Sequence, residues 1–560
     1  MPINVKEELD ICRQEESDRA PMDSWWQSIK AVTTPRDAYI NRTETPVPSN
    51  DYANIHDTTV IEASEGLSNM MTAQLTPAGE DWVRYEPPFE FQDDDEVVEW
   101  YATCSHIAMQ LVNQSNFQMA NQPVNLERAT VGTGMMMCYE TGDRYSPFYF
   151  KHSPVGTYTF QEDLQGRPDT LRRHFQATAH QLQKEFPRGQ FGEKVKNALL
   201  DHKKKHSEKF KIWHVVKPRE ERDPSKIDNV NMAYAEFYIC EKDENLIEET
   251  GMHEFNTMVS RFQHGADGII WGVSPARKAM PAVAQVNYLQ ESLDLLLDIK
   301  INPRILAEAG MVGEIDMRPG QKTLTRAGAL STPGGGVREW ATGGDYPLGK
   351  DRIRDKQDQI RKLFFNAIWQ PYADVQKEMT AEEFRGIRDQ SEMLFVGVNA
   401  RYEADMNPML SRRIFGICLR KGLFPEPPAQ LLKESNGFYD IPDPLSTFTT
   451  NLARVMKRKA VEHKDQFFLR LQQFAQFDPT VMDEIDLASH TRELARTYGI
   501  RAPQLRPEAE VIKIAQARLQ AQQQAAQQQQ ATQMAETASK FSPQIQQQVM
   551  ESAQQGGGTF

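Results

Sequence analysis

The sequence predicts an α+β protein that is mainly helical, and three observations carry the prediction. Residues 274–301, 350–369 and 380–421 place apolar side chains at helical spacing over runs longer than any β segment. Between about 145 and 270, aromatic and β-favouring residues gather in short runs parted by turn signals. The 560 residues exceed what one hydrophobic core usually organises, so several domains or layers are expected.

Composition narrows the class further. Apolar residues make up 39% and charged residues 25%, the balance of a soluble folded protein. A formal net charge of −14 argues against binding nucleic acid through a generally basic surface. The five cysteines are scattered, with no CxxC pair, which suits reduced thiols in a cytosolic compartment. The opening "MPINVKEELDICRQEESDRA" has no apolar signal core, and no apolar run approaches the roughly 20 residues of a membrane span. Synthesis in the cytoplasm and no membrane association are expected.

The elements follow in order. Residues 1–90 mix short helical signals with Pro-rich breaks such as "ETPVPSND". "DDDEVVEWYATCSHIAMQLVNQSNF" reads as a helix with acids at its start, where they complement the helix dipole. Its buried face is expected to be Val97, Tyr101, Cys104, Ala108 and Leu111. "FYFKHSPVGTYTFQEDLQGRPDTLRRHF" reads as a hairpin around Gly166, and residues 210–216 and 232–241 read as further strands of a small antiparallel layer. Ser274 caps and Pro275 opens the next helix, whose stripe is Val283, Val286, Leu289, Leu293 and Leu296; Pro281 should delay or kink its start. Glycines fill 302–349, which reads as a turn-rich insert with short strands. Helix resumes at 350 with Ile353, Ile360, Phe364 and Ala367 on one side. A long helical pattern from 380 to 421 should be kinked at Pro408. Residues 422–505 read as a smaller helical unit, and Gln and Ala dominate 506–555.

No catalytic constellation stands out. "GDYPLGKD" (344–351) nearly fits the phosphate-cradling loop, but Asp351 replaces the hydroxyl that binds Mg²⁺ and Pro347 removes an amide donor. A Gly-rich lead-in to a helix is the better reading. His202 and His206 have ligand spacing, yet three lysines between them repel a cation. No catalytic residue, metal site or cofactor is assigned.

One junction is specified in detail. Thr380 and Glu383 form a capping box in "MTAEEF", worth roughly 1 kcal/mol, and Met379 with Phe384 forms a hydrophobic staple. The loop before it, 370–379, is polar and mixed in sign.

The order of parts resembles the portal (head-to-tail connector) proteins of tailed bacteriophages, in particular the short-tailed podovirus family. The segments that carry the resemblance are "EASEGLSNMMTAQLTPAGEDWVRY", "FQEDLQGRPDTLRRHFQATAHQL", "SRFQHGADGIIWGVSPARKAMPAVAQVNYLQESL" and "EMTAEEFRGIRDQ". In the third, Arg261, Gly272, Ser274 and Pro275 stand in matching places.

The resemblance implies a wing (1–273, with the β layer), a first stem helix (274–301), a clip (302–349) and a second stem helix (350–369). A tunnel loop (370–379), a long kinked wing helix (380–421, Pro408 at the kink) and a helical crown (422–505) follow. Residues 506–560 would be a helical barrel or a disordered tail. It implies a ring, dodecameric in the family, around a channel for double-stranded DNA passing without sequence specificity. Gln370, Tyr372, Asp374, Gln376, Lys377 and Glu378 would face that DNA. Expected partners are the terminase large subunit, a tail adaptor, and capsid and scaffolding proteins, in the virion at the portal vertex. Two other classes compete: a nucleotide-binding enzyme built on "GDYPLGKD", and a coiled-coil or scaffold protein using the Gln-rich C-terminus.

Overall fold

In a computed structural model of the chain, the described residues are 3–35, 40, 55–301 without 93, 224–225, 227 and 266–268, then 305–306, 338–339, 346–366 and 381–448 without 436–437, and parts of 467–533. For 305–306, 338–339, 381–395 and 433–440 the description covers the backbone only. Two compact units emerge, residues 1–92 with 100–462, and residues 93–99 with 463–560.

The larger unit opens on α1 (Val5–Thr33), one continuous helix with Pro21 inside it, where short helical pieces were expected. The reason for the difference is that its buried face is largely ionic. Arg19 pairs with Asp23 at 2.9 Å and Lys30 with Glu127 at 2.9 Å, both pairs buried. Such a face breaks the apolar periodicity that marks a helix in sequence. α2 (Thr59–Leu75) follows, then β1 (Val83–Glu86), α3 (Asp95–Gln114) and α4 (Phe117–Thr130). In α3, Val97, Tyr101, Cys104 and Ala108 are buried as expected, but Val112 takes the next buried place and Leu111 is half-buried.

Two antiparallel sheets make the β layer. The first runs β3-β2-β9, from β2 (Thr133–Glu140), β3 (Phe148–Ser153) and β9 (Thr257–Arg261). β2 is a strand the sequence reading passed over. Its "TGMMMC" is buried on both faces, so it does not alternate. The second sheet is a meander of five strands: β4 (Tyr158–Glu162), β5 (Pro168–Thr178), β6 (Lys209–Pro218), β7 (Tyr234–Cys240) and β8 (Asn245–Met252). Gly166 turns the β4–β5 hairpin at φ +76°, as anticipated. Short helices α5 (Ala179–Glu185), α6 (Glu193–Leu200) and α7 (Lys204–Ser207) lie between β5 and β6 in sequence.

Helix α8 (Pro275–Ile301) runs through Pro281 from its first turn, so that proline does not delay it. In the Gly-rich insert, β10 (Ile305–Leu306) pairs antiparallel with β11 (Arg338–Glu339). α9 (Tyr346–Leu363) starts four residues before, and ends six residues before, the expected 350–369. Phe365 follows it at φ +56°, a left-handed position that ends a helix. Helix α10 (Ala381–Arg420) continues through Pro408. Beyond it the helical reading of 422–505 is corrected over its first part. Residues 433–435 (β12) pair with 438–440 (β13), and β14 (Leu445–Phe448) pairs antiparallel with β1, in register from Val83↔Phe448 to Glu86↔Leu445. In the smaller unit, residues 516–530 are helical and exposed.

Gly132 and Gly272 cross at van der Waals distance. Gly132 has φ +99°, and a Cβ there would strike the Gly272 carbonyl and stand 2.9 Å from Ser274 N. Gly132→Ala is expected to cost roughly 2–4 kcal/mol, because backbone cannot yield. Gly166→Ala, at φ +76° with nothing within 4 Å, should cost only the left-handed penalty of about 1–2 kcal/mol. Chemical denaturation of the two variants checks the contrast.

Candidate channel hairpin and its anchors

Helices α8 and α9 form an antiparallel hairpin. At one end a Cβ on Gly349 would lie 3.0 Å from Leu293 Cδ2. At the other, Phe365 lies 6.3 Å, ring to ring, from Phe262, which precedes α8. Buried Ala279, Val283, Val286 and Leu293 of α8 and Ile353 and Ile360 of α9 supply its apolar seam, while Leu289 and Leu296 are half-buried. The Leu293 side chain would have to give by a few tenths of an ångström to admit a Cβ at Gly349. The segment before α2 clasps both helices: Asn287 Oδ1 accepts from His56 N (3.0 Å) and Asp57 N (3.1 Å), and Gln357 Nε2 donates to Asp57 Oδ2 (2.6 Å).

The root of α8 is fixed through Ser274. Its Oγ accepts from Arg277 N at 3.0 Å and donates to Thr130 O at 2.6 Å, so one hydroxyl caps α8 and ties it to the end of α4. Gly272 N donates to Thr133 Oγ1 at 2.8 Å beside it.

Arg261, at the end of β9, is fully buried. Its backbone N–H donates to Asp405 Oδ2 at 2.9 Å, and its guanidinium reaches Glu162 and donates to Gly166 O at 3.2 Å. Arg401 closes on the other Asp405 oxygen at 2.9 Å. One cation therefore joins β9, the β4–β5 turn and α10. Two further contacts hold α10: Arg128 of α4 over the Tyr402 ring at 4.7 Å, and Glu254 between Arg413 (2.9 Å) and Arg420 (3.0 Å). Asn407, beside Pro408, donates to Ser446 O of β14 at 2.9 Å.

Glu127 is a second buried node. Besides Lys30 it has His152 Nε2 at 3.2 Å and accepts from Val155 N at 3.2 Å. Burial by itself would raise its carboxyl, but Lys30 and His152 outweigh that and bring it down to about 2. The acidic partners Asp405, Glu254 and Glu127 were not singled out in the sequence. Each meets a cation across a long sequence separation (Arg261, Arg413 and Lys30 respectively), and no local pattern marks those pairs.

Of the residues singled out, Gln370, Tyr372, Asp374, Gln376, Lys377, Glu378, Met379 and Thr380 lie outside the described residues, as do the side chains of Glu383 and Phe384. α10 begins at Ala381, directly after Thr380. "GDYPLGKD" is settled against phosphate binding. Residues 346–351 are the first turns of α9, so Gly349 and Lys350 sit in a helix and not in a loop with free amides. His206 packs on the His180 ring at 4.7 Å, and no group of three potential metal ligands occurs among the described residues.

The described residues thus build a sheet layer that grips a long helix, with a clasped helical hairpin rooted in it. The chain belongs to the bacteriophage head-to-tail connecting protein family, whose model matches residues 7–505. Among its relatives, a probable portal protein of Bordetella phage BPP-1 is 26% identical over 531 residues, 93% of each chain. The portal protein of Salmonella phage epsilon15 is 22% identical over 519 residues, 90% of this chain and 89% of its own.

Asp405→Ala is expected to destabilise by roughly 3 kcal/mol, since it strips a buried guanidinium of a partner. Asp443→Ala, which breaks an exposed pair with Arg412, should cost under about 1 kcal/mol in the same urea titration. Glu127 has a folded pKa below its unfolded one. Its stabilisation is present above the unfolded value of about 4.3 and is lost as pH falls towards the folded value of about 2. Glu127→Gln should lower the urea midpoint at neutral pH and flatten the acid dependence across that window.

Proposed function

We propose that this protein is the portal of a tailed phage: a ring at one capsid vertex through which double-stranded DNA is packaged and later ejected. The observation that carries the reading is the family match across residues 7–505, joined to relatives named as portal proteins over nine-tenths of the chain. In this reading the α8–α9 hairpin is the stem, and the insert between its helices is the clip that meets the terminase large subunit and later a tail adaptor. Residues 370–379 form the tunnel loop, with Gln370, Tyr372, Asp374, Gln376, Lys377 and Glu378 facing DNA. The chain is a conduit without catalysis of its own, made in the host cytoplasm and built into the virion with capsid and scaffolding proteins. No described helix is long and apolar enough to cross a membrane.

The physics of a conduit supports this assignment. Each Lys or Arg contact to phosphate releases counterions and creates affinity. A channel rich in such contacts would hold DNA, whereas a chain of net charge −14 can let it pass. A dodecameric ring with a central hole in negative-stain images or native mass spectrometry is the expected result; a stable monomer at micromolar concentration would sink the proposal. Thr380→Ala with Glu383→Ala should leave rings assembled and speed hydrogen exchange of residues 370–384, the loop and first helical turns that the capping box holds.

A further inference from the structure

Helix α8 buries one apolar seam, and two large apolar side chains stand exposed on its other side among the described residues. Tyr288 and Leu295 are 69% and 57% exposed. Each follows a buried residue by two positions, Val286 and Leu293, which puts it about 200° further round the helix, on the side away from α9. On α9, Leu348 is 69% exposed and lies five positions, about 140°, from buried Ile353, so it points away from α8. The hairpin thus carries large apolar side chains on both of its outer edges. Their heights agree as well. Gly349 abuts Leu293, so in antiparallel helices Leu348 and Leu295 stand at the same level to within about one or two rises of 1.5 Å.

Two different patches on opposite edges, at one height, cannot satisfy each other within a chain. They can do so between copies set side by side without an axial shift, Leu295 of one against Leu348 of the next. Repetition of such a heterologous contact closes a ring, whereas a two-fold contact would bury one patch and leave the other in water. We infer that Leu295 of α8 forms the stem contact with Leu348 of α9 in the neighbouring copy, with Tyr288 on the same edge about two turns away. The inference rests on the ring reading above and adds to it the edge and the register of assembly.

Cysteine cross-linking tests it directly. Cys12, Cys104, Cys138, Cys240 and Cys418 are all buried, and burial pushes the thiols of Cys12, Cys138 and Cys418 up to about 12, so they stay out of the reaction. A disulfide needs Cα atoms within about 7 Å, and positions 295 and 348 of one chain are on the order of 15 Å apart across the hairpin. Under mild oxidation, Leu295→Cys with Leu348→Cys should therefore give a ladder of covalent multimers on a denaturing gel. The two single variants co-expressed should stop at dimers, and each alone should stay monomeric. Leu295→Arg should move native mass spectra from rings towards monomers with an unchanged far-UV circular dichroism spectrum. Rings without a ladder, or Leu295→Arg rings at wild-type abundance, overturn this contact and leave the ring reading standing. Self-linking of Leu295→Cys overturns it in favour of a two-fold contact. A monomeric wild type overturns the ring reading itself, and the contact with it.

Discussion

The guanidinium of Arg261 is buried where three parts of the larger unit meet, and a charge in that position must be answered from every side. Glu162 and the Gly166 carbonyl answer it from the β4–β5 hairpin, and Asp405 from the middle of α10. Loss of any of these leaves ionic or polar atoms in a medium that cannot solvate them. The long helix is consequently held at one register against the sheet. Arg128 on Tyr402 and Glu254 between Arg413 and Arg420 repeat the restraint along its length. Hydrophobic packing alone would tolerate a slide of one turn; directional charge pairs do not.

From that fixed frame the hairpin takes its position. Gly132 and Gly272 let two backbones approach more closely than any side chain would permit, and Ser274 turns that approach into the first turn of α8. Asn287 and Gln357 then clasp the hairpin partway along, through backbone and side chain of His56 and Asp57. These restraints lie at the root, towards the sheet layer. Tyr288 and Leu295 on one edge of the hairpin and Leu348 on the other stay exposed among the described residues.

Charge serves two separate purposes here. Buried pairs such as Lys30–Glu127 and Arg19–Asp23 specify geometry, with no water to screen them. The surplus of acids over bases, 78 against 64, sets the long-range field that DNA would meet. The cations of the buried nodes are already neutralised inside the fold and do not add to that outer field.

By itself the sequence determined the class of fold, the β4–β5 turn at Gly166, the strands at 210–216 and 232–241, the Ser274–Pro275 start of α8 and the seam of Ile353 and Ile360. Each of these rests on local physics: a turn that needs a left-handed residue, a cap, a period. Only the tertiary structure decided the rest. α1 was hidden because ion pairs replaced its apolar stripe, and β2 because burial on both faces erased its alternation. The helical start at Tyr346 was masked by Pro347 and Gly349, residues that read as a loop in sequence, although Gly349 packs on Leu293 inside the hairpin. Arg261 stood out in sequence, but Asp405, its partner 144 residues on, did not. Local pattern records what a segment prefers; which distant charge it meets is settled by the packing that brings them together.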